Sequence, residues 1–112
     1  VSEMKRDYGS RPSSVMAAIG PSIGPCCFRV GRDLADRFRG IFGGTGNIVI
    51  EDDYGFRIDL WEAVKTQLVG SGIRVVSIIE SGLCTSCRES LFFSYRRDGA
   101  STGRMASIIQ LR

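Results

Sequence analysis

Apolar residues fall at helical spacing in some stretches and at strand spacing in others, and the switches between them mark the elements. Residues 1–9 are charged and weakly amphipathic and run into Gly9. They predict the last turns of a helix ended by glycine. Pro12 and its serines make a connector. Residues 14–19, with Val15, Met16, Ala17 and Ala18, are an apolar run that predicts a buried strand. Gly20-Pro21 ends it, and Gly24-Pro25 fixes the loop beyond. Leu34, Phe38 and Ile41 recur at i, i+4 and i+7, the apolar face of a helix capped by Asp33. Arg32, Asp36, Arg37 and Arg39 fall largely off that face, on a solvated side.

Glycine-rich residues 43–47 end this helix; they lack the Gly-Lys-Ser/Thr ending of a phosphate-binding P-loop and read as a loop. Ile48-Val49-Ile50 and Gly55-Phe56-Arg57-Ile58 flank Glu51-Asp52-Asp53-Tyr54, which predicts a hairpin with a solvated acidic tip. Three carboxylates in a row also offer a cation site. Asp59 and Glu62 form a capping box for a helix carrying Leu60, Val64 and Leu68, with Trp61 beside that face. Gly70 and Gly72 close it. Residues 73–79, with Val75, Val76, Ile78 and Ile79, predict a strand buried on both faces and a strand–helix–strand crossover with parallel pairing. The β-branched residues 104–111 predict a closing strand. The fold class is α/β, a mixed β-sheet with packed helices, read as a single domain over residues 1–112.

Composition narrows the class. Hydrophobic residues make up 43% and charged residues 24%, proportions of a globular chain. A net charge of +3 does not argue for nucleic acid. No apolar run reaches membrane-spanning length, and the first residues lack the apolar core of a signal peptide. The expected setting is cytoplasmic, with neither membrane nor nucleic acid as partner. The absence of an initiator methionine fits a fragment or a processed chain.

The 4 cysteines and the lack of histidine bear most on chemistry. No histidine acid, base or metal ligand can come from this chain. Cys26 and Cys27 are adjacent, while Cys84 and Cys87 have C-x-x-C spacing. Three readings stay open. The four are thiols packed in the interior. They are thiolate ligands of a structural zinc ion, for which the second pair has the usual spacing and the first does not. Or they serve redox work or a disulfide, Cys84 and Cys87 as a redox pair needing, in a thioredoxin-like setting, to open a helix after a strand.

Residues 92–106 combine aromatic and cationic groups. Phe92 and Phe93 open them as a strand would, and Gly99 and Gly103 permit positive φ. Arg96, Arg97 and Arg104 supply planar forks suited to carboxylate or phosphate, and Asp98 can hold one of them. The stretch is either a hairpin with paired arginines or an anion-holding loop beside a ligand. With Tyr95 for stacking, the same arginines fit a single-stranded nucleic acid, a reading weakened by the modest net charge and the acidic run at Glu51.

Three blocks, in order, carry a resemblance: residues 18–31 (Ala18-Ile19-Gly20-Pro21-Ser22-Ile23-Gly24-Pro25-Cys26-Cys27-Phe28-Arg29-Val30-Gly31), Cys84-Thr85-Ser86-Cys87, and residues 92–106. Together they resemble the laccase-domain family, described both as multicopper polyphenol oxidases and as purine nucleoside phosphorylases. Family chains are about twice this length, the scale of a larger single domain. The resemblance implies the C-terminal half of a larger layered α/β domain, with the N-terminal half of the same protein as its partner. It implies a zinc-dependent enzyme (copper in the older description) acting on adenosine, inosine or methylthioadenosine with phosphate, or deaminating adenosine. The family's metal ligands, two histidines and a cysteine, lie upstream of the Gly-Pro-Ser-Ile-Gly-Pro loop, so no catalytic residue maps here and the chain alone is expected to be inactive. The alternative is a stand-alone structural or zinc-binding module using Cys26, Cys27, Cys84 and Cys87.

Overall fold

The computed structural model describes residues 1–111. Helix α1 (Ser2–Tyr8) ends at Gly9, whose φ of 63° lets its N–H turn back to the Lys5 carbonyl. A 3₁₀ turn over Pro12–Ser14 leads to strand β1 (Ala17–Ile19), shorter than the apolar run before it. Strand β2 (Arg29–Val30) precedes helix α2 (Arg32–Phe42). Strands β3 (Val49–Asp52) and β4 (Gly55–Ile58) form the expected hairpin, and helix α3 (Leu60–Gly70) follows. A 3₁₀ turn over Val75–Ser77 enters strand β5 (Ile78–Glu80). Helix α4 (Tyr95–Asp98) and a 3₁₀ turn over Gly99–Ser101 are the last regular elements described.

Two sheets result. β2, β4 and β3 lie in that order, antiparallel throughout, while β1 and β5 pair in parallel with Ala17 opposite Ile78 and Ile19 opposite Glu80. The parallel crossover therefore joins β1 to β5 and contains the hairpin sheet and both longer helices; β4 and β5 are not the pair. The core lies between the hairpin sheet and the helices. Ile48, Ile58 and Ala63 are buried at its centre, with Phe28, Val30, Leu34, Phe38, Phe42, Val49 and Leu60 packed around them.

Several expectations need correction. α2 is capped by the backbone of Gly31, and Asp33 sits in its first turn with no capping bond recorded. Its apolar face runs through Leu34, Phe38 and Phe42, at i, i+4 and i+8, so it is centred near Phe38 and Ile41 falls at its edge, exposed. In α3, Ala63 takes the buried position and Val64 faces out. Residues 73–79 are not a doubly buried strand: Val76 is 85% exposed and Val75 and Ile79 are exposed too. The short strand β5 has β1 as its described neighbour. Phe92 and Phe93 open no strand. Residues 104–111 add none to either sheet, and Ile108, Ile109 and Leu111 are exposed.

The acidic run is exposed at Glu51, Asp53 and Tyr54, as a solvated tip would be, but Asp52 and Glu51 are also paired with arginines. Asp52 binds Arg29 through both carboxylate oxygens at 3.1–3.2 Å and Arg57 at 3.1 Å, and accepts the Tyr54 N–H at 2.9 Å. Glu51 takes Arg39 from α2 at 3.0 Å, so Arg39 is not on a merely solvated face. Arg32 and Arg39 also lie over the Phe56 ring, 5.3 and 5.1 Å from its centroid. Hydrogen bonds from Arg29 and the Tyr54 N–H, with Arg57, outweigh burial and hold the Asp52 carboxyl at about 2 against an ordinary 3.8.

Two tests follow from these contacts. Because the folded-state value of Asp52 is depressed, its stabilisation is complete above the ordinary value and fades as pH falls toward about 2. Asp52→Asn should lower the melting temperature at neutral pH and flatten the acid limb of the stability curve; an acid limb identical to the parent's would contradict the pairing. Asp59 accepts the Glu62 N–H at 3.0 Å as the cap of α3. Asp59→Ala should cost about 1 kcal/mol in chemical denaturation, and a curve superimposable on the parent's would remove the cap from the account.

Candidate metal centre

The parallel seam continues beyond its strands. Ser81 N–H donates to the Ile19 carbonyl at 2.9 Å, Ser22 N–H to Leu83 at 3.3 Å, and Thr85 N–H to Ser22 at 3.1 Å. Ser22 thereby lies opposite Cys84 in an isolated parallel bridge. Each chain then turns. Cys27 and Phe28 donate to the Gly24 carbonyl at 3.0 and 3.1 Å, and Arg88 closes the other turn on the Cys84 carbonyl at 3.2 Å. The seam thus delivers one cysteine pair against the other.

Gly24 makes the close approach possible. A Cβ there would lie 2.8 Å from the Trp61 ring and 3.2 Å from the Cys84 Cβ. Trp61 Nε1–H donates to Ser22 Oγ at 2.7 Å, which ties α3 to the same loop. Gly24 N–H donates to Cys84 Sγ at 3.2 Å.

The four sulfurs all lie within 4.8 Å of one another. Cys87 Sγ is 3.5 Å from Cys26 Sγ and 3.3 Å from Cys27 Sγ. Cys84 is buried, whereas Cys26 and Cys87 are exposed and all four are free thiols. Burial raises Cys84, but N–H groups from Gly24 and Cys87 and the Cys26 thiol favour its thiolate more strongly and bring it down to about 6. Burial and the facing sulfurs push Cys26 up to about 12, and the Cys27 contact raises Cys87. Adjacency of Cys26 and Cys27 therefore does not keep them from sharing a site. Cys84 to Cys87 form a turn, not the start of a helix, so the thioredoxin-like arrangement is not present. The donor set is soft and lacks nitrogen, so it could hold a thiolate-bound metal ion and is not a histidine-based centre.

The three arginines do not converge. Arg97 is half-buried and spent on its own chain: both oxygens of Asp98 accept its guanidinium at 2.7–2.8 Å, and the carbonyls of Thr85, Ser86 and Phe92 accept it at 2.9, 3.2 and 2.9 Å. It clamps the Cys84–Cys87 turn. Arg96 donates to the Arg29 carbonyl at 2.7 Å and lies over the Phe28 ring, beside a cavity of about 320 Å³ shared with Ile23, Phe93 and Tyr95. Arg104 lines a separate cavity of about 470 Å³ with Phe93, Tyr95, Thr102 and Gly103. Gly99 has the expected positive φ of 68°. Gly103 is needed for space instead, since a Cβ would meet the Phe93 ring at 2.7 Å. Thr102 Oγ1, of a residue lining the Arg104 cavity, is buried with no hydrogen-bond partner among the described residues.

The sequence missed two supports of the cluster. One is the Trp61–Ser22 bond. The other is Arg57, which donates to the Pro25 carbonyl at 3.2 Å and steadies the first cysteine turn. Neither has a local signal, because each partner lies more than thirty residues away.

Gly24→Ala should cost about 1–3 kcal/mol by overpacking against Trp61, read as a drop in denaturation midpoint; a neutral substitution would mean the two turns are not in contact. Arg97→Lys should lower the melting temperature much more than Arg104→Lys, since a point charge cannot serve a carboxylate and three carbonyls in one plane. Equal losses would deny Arg97 its clamping role.

A sequence profile described as multi-copper polyphenol oxidoreductase laccase matches residues 1–112. The chain is 40% identical over 103 residues to a purine nucleoside phosphorylase, YlmD, of Geobacillus stearothermophilus, covering 90% of this chain and 38% of that protein. It is 36% identical over 106 residues to an adenosine deaminase from an unknown prokaryotic organism, covering 93% and 40%. The crystal structure of YlmD from Geobacillus stearothermophilus superposes with a TM-score of 0.82 at 38% identity, over 91% of this chain and 38% of that one. The chain thus spans about two fifths of the length of these relatives. With a full-length profile match and a shared fold at this identity, the chain belongs to the multi-copper polyphenol oxidoreductase laccase family.

Proposed function

We propose that this chain is the C-terminal part of a zinc-dependent purine nucleoside phosphorylase, working with an N-terminal part of the same protein in one layered α/β domain. The observation that carries this is the match over nine tenths of the chain to a purine nucleoside phosphorylase of which it spans 38%. The whole protein would split adenosine, inosine or methylthioadenosine with phosphate, and deaminate adenosine. A relative named as an adenosine deaminase supports the second activity.

The labour divides by residue type. The chain has no histidine, so it supplies no imidazole to a catalytic metal or a proton transfer. The catalytic metal ligands belong upstream, and no step is assigned to the cysteines here. A metal in that upstream site would polarise the substrate or activate its attacking water or phosphate. What this part offers is anion recognition and apolar walls. Arg104 and Arg96 flank Phe93 and Tyr95 on two adjoining cavities. A guanidinium there suits phosphate or a developing negative charge, and the aromatic rings suit a purine face. Arg97 acts at one remove by fixing the turn from which these residues depart.

No helix among the described residues is long and apolar enough to cross a membrane. We place the protein in the cytoplasm, where reducing conditions keep such thiols free.

The test compares residues 1–112 with the full-length protein, each given inosine, phosphate and zinc, with hypoxanthine release as the readout. The full-length protein should turn over and lose activity on chelation, while the short chain should release none. A full-length protein inert on every purine nucleoside would refute the proposal. Comparable turnover by the short chain would put the working site within these residues.

A further inference from the structure

We propose that Cys26, Cys27, Cys84 and Cys87 bind one zinc ion in a closed, structural tetrathiolate site, separate from any catalytic metal of the protein. Geometry carries the proposal. A zinc–sulfur bond of about 2.3 Å in a tetrahedron sets neighbouring sulfurs about 3.8 Å apart. Here the nearest sulfurs are 3.3 and 3.5 Å apart and all four lie within 4.8 Å. An ion at the centre needs only small adjustments of side-chain torsions.

The two competing states fit less well. Inert packed cysteines are buried, yet Cys26 and Cys87 are exposed. A disulfide joins two sulfurs at about 2.05 Å and turns away from the rest, whereas Cys87 faces Cys26 and Cys27 almost equally.

The surroundings are those of a built site. Gly24 N–H donates to Cys84 Sγ, the kind of outer contact that orients a thiolate ligand. Arg57 holds the Pro25 carbonyl before the first pair, and Arg97 holds the Thr85 and Ser86 carbonyls between the second pair. Both turns are therefore fixed by contacts that need no metal, and the ordering cost falls on the fold instead of on the ion. All four positions of the ion are filled by protein, leaving none for water or substrate. The ion would pin the residues before β2 to the turn that Arg97 clamps, and so to the cavities at Phe93 and Tyr95.

The experiment uses the full-length protein, purified without a metal-chelating tag and loaded with Zn²⁺ or Co²⁺, and does not depend on nucleoside turnover. Zinc per chain, measured by elemental analysis, should fall by one equivalent in Cys84→Ser and in Cys87→Ser. Since Cys84 is buried and its variant can misfold, exposed Cys87 is the deciding substitution. The cobalt form of the parent should show intense sulfur-to-metal charge transfer and tetrahedral d–d bands that Cys87→Ser largely removes. Unchanged zinc content in a folded Cys87→Ser protein would overturn the proposal. So would weak charge transfer in the parent, or a disulfide among the four cysteines in mass spectra of protein purified under reducing conditions.

Discussion

The parallel seam between β1 and β5 is the constraint on which the rest depends. Three residue pairs make the strands, and hydrogen bonds from Ser22, Ser81 and Thr85 carry the pairing on to the Ser22–Cys84 bridge. Strand register is discrete: a slip by one residue would turn Ser22 and Cys84 to opposite faces. With the register set, Gly24 packs on Trp61 and Cys84, and the sulfurs converge. The long crossover between the two strands is not slack, because Trp61 of α3 bonds back to Ser22 at the seam's end.

A second framework, made of charge, braces the first. Asp52 gathers Arg29 and Arg57, and Arg57 reaches on to Pro25 beside Cys26. Asp98 aligns Arg97, which reaches the carbonyls between Cys84 and Cys87. In both cases a carboxylate orients a guanidinium that secures a cysteine turn. Exposed ion pairs alone contribute little. Their worth here lies in the carbonyls that the oriented forks satisfy, since an unpaired buried carbonyl is costly.

Much of this was legible locally. Asp59 three residues before Glu62 announces a helix start, and the capping bond is present. The β-rich pieces around Asp53 and Tyr54 announce a hairpin, and its register follows. The cysteine blocks and the arginine stretch carried the family. What could not be read was long-range. Residues 73–79 look like a buried strand, but burial depends on layers that sequence periodicity does not reveal, and Val76 is exposed. Arg97 read either as an anion ligand or as a fork held by Asp98, and the Asp98 pair is present; the carbonyls it also reaches carry no sequence signal, because every residue has one. The acidic run read as a solvated tip, and Glu51, Asp53 and Tyr54 are exposed; its ion pairs could not be read because Arg29 and Arg39 lie far from it in sequence. Adjacent Cys26 and Cys27 looked ill-suited to one ion because the turn that brings both round to Cys87 is set by Gly24, whose role is spatial.

This fold builds a four-sulfur centre at the end of a parallel seam. Anomalous X-ray diffraction from crystals of the full-length protein, recorded on both sides of the zinc absorption edge, tests it directly. A zinc peak should lie at about 2.3 Å from each of Cys26 Sγ, Cys27 Sγ, Cys84 Sγ and Cys87 Sγ. No zinc peak among those sulfurs in crystals grown with the metal, or a Cys27–Cys87 bond in its place, would contradict it.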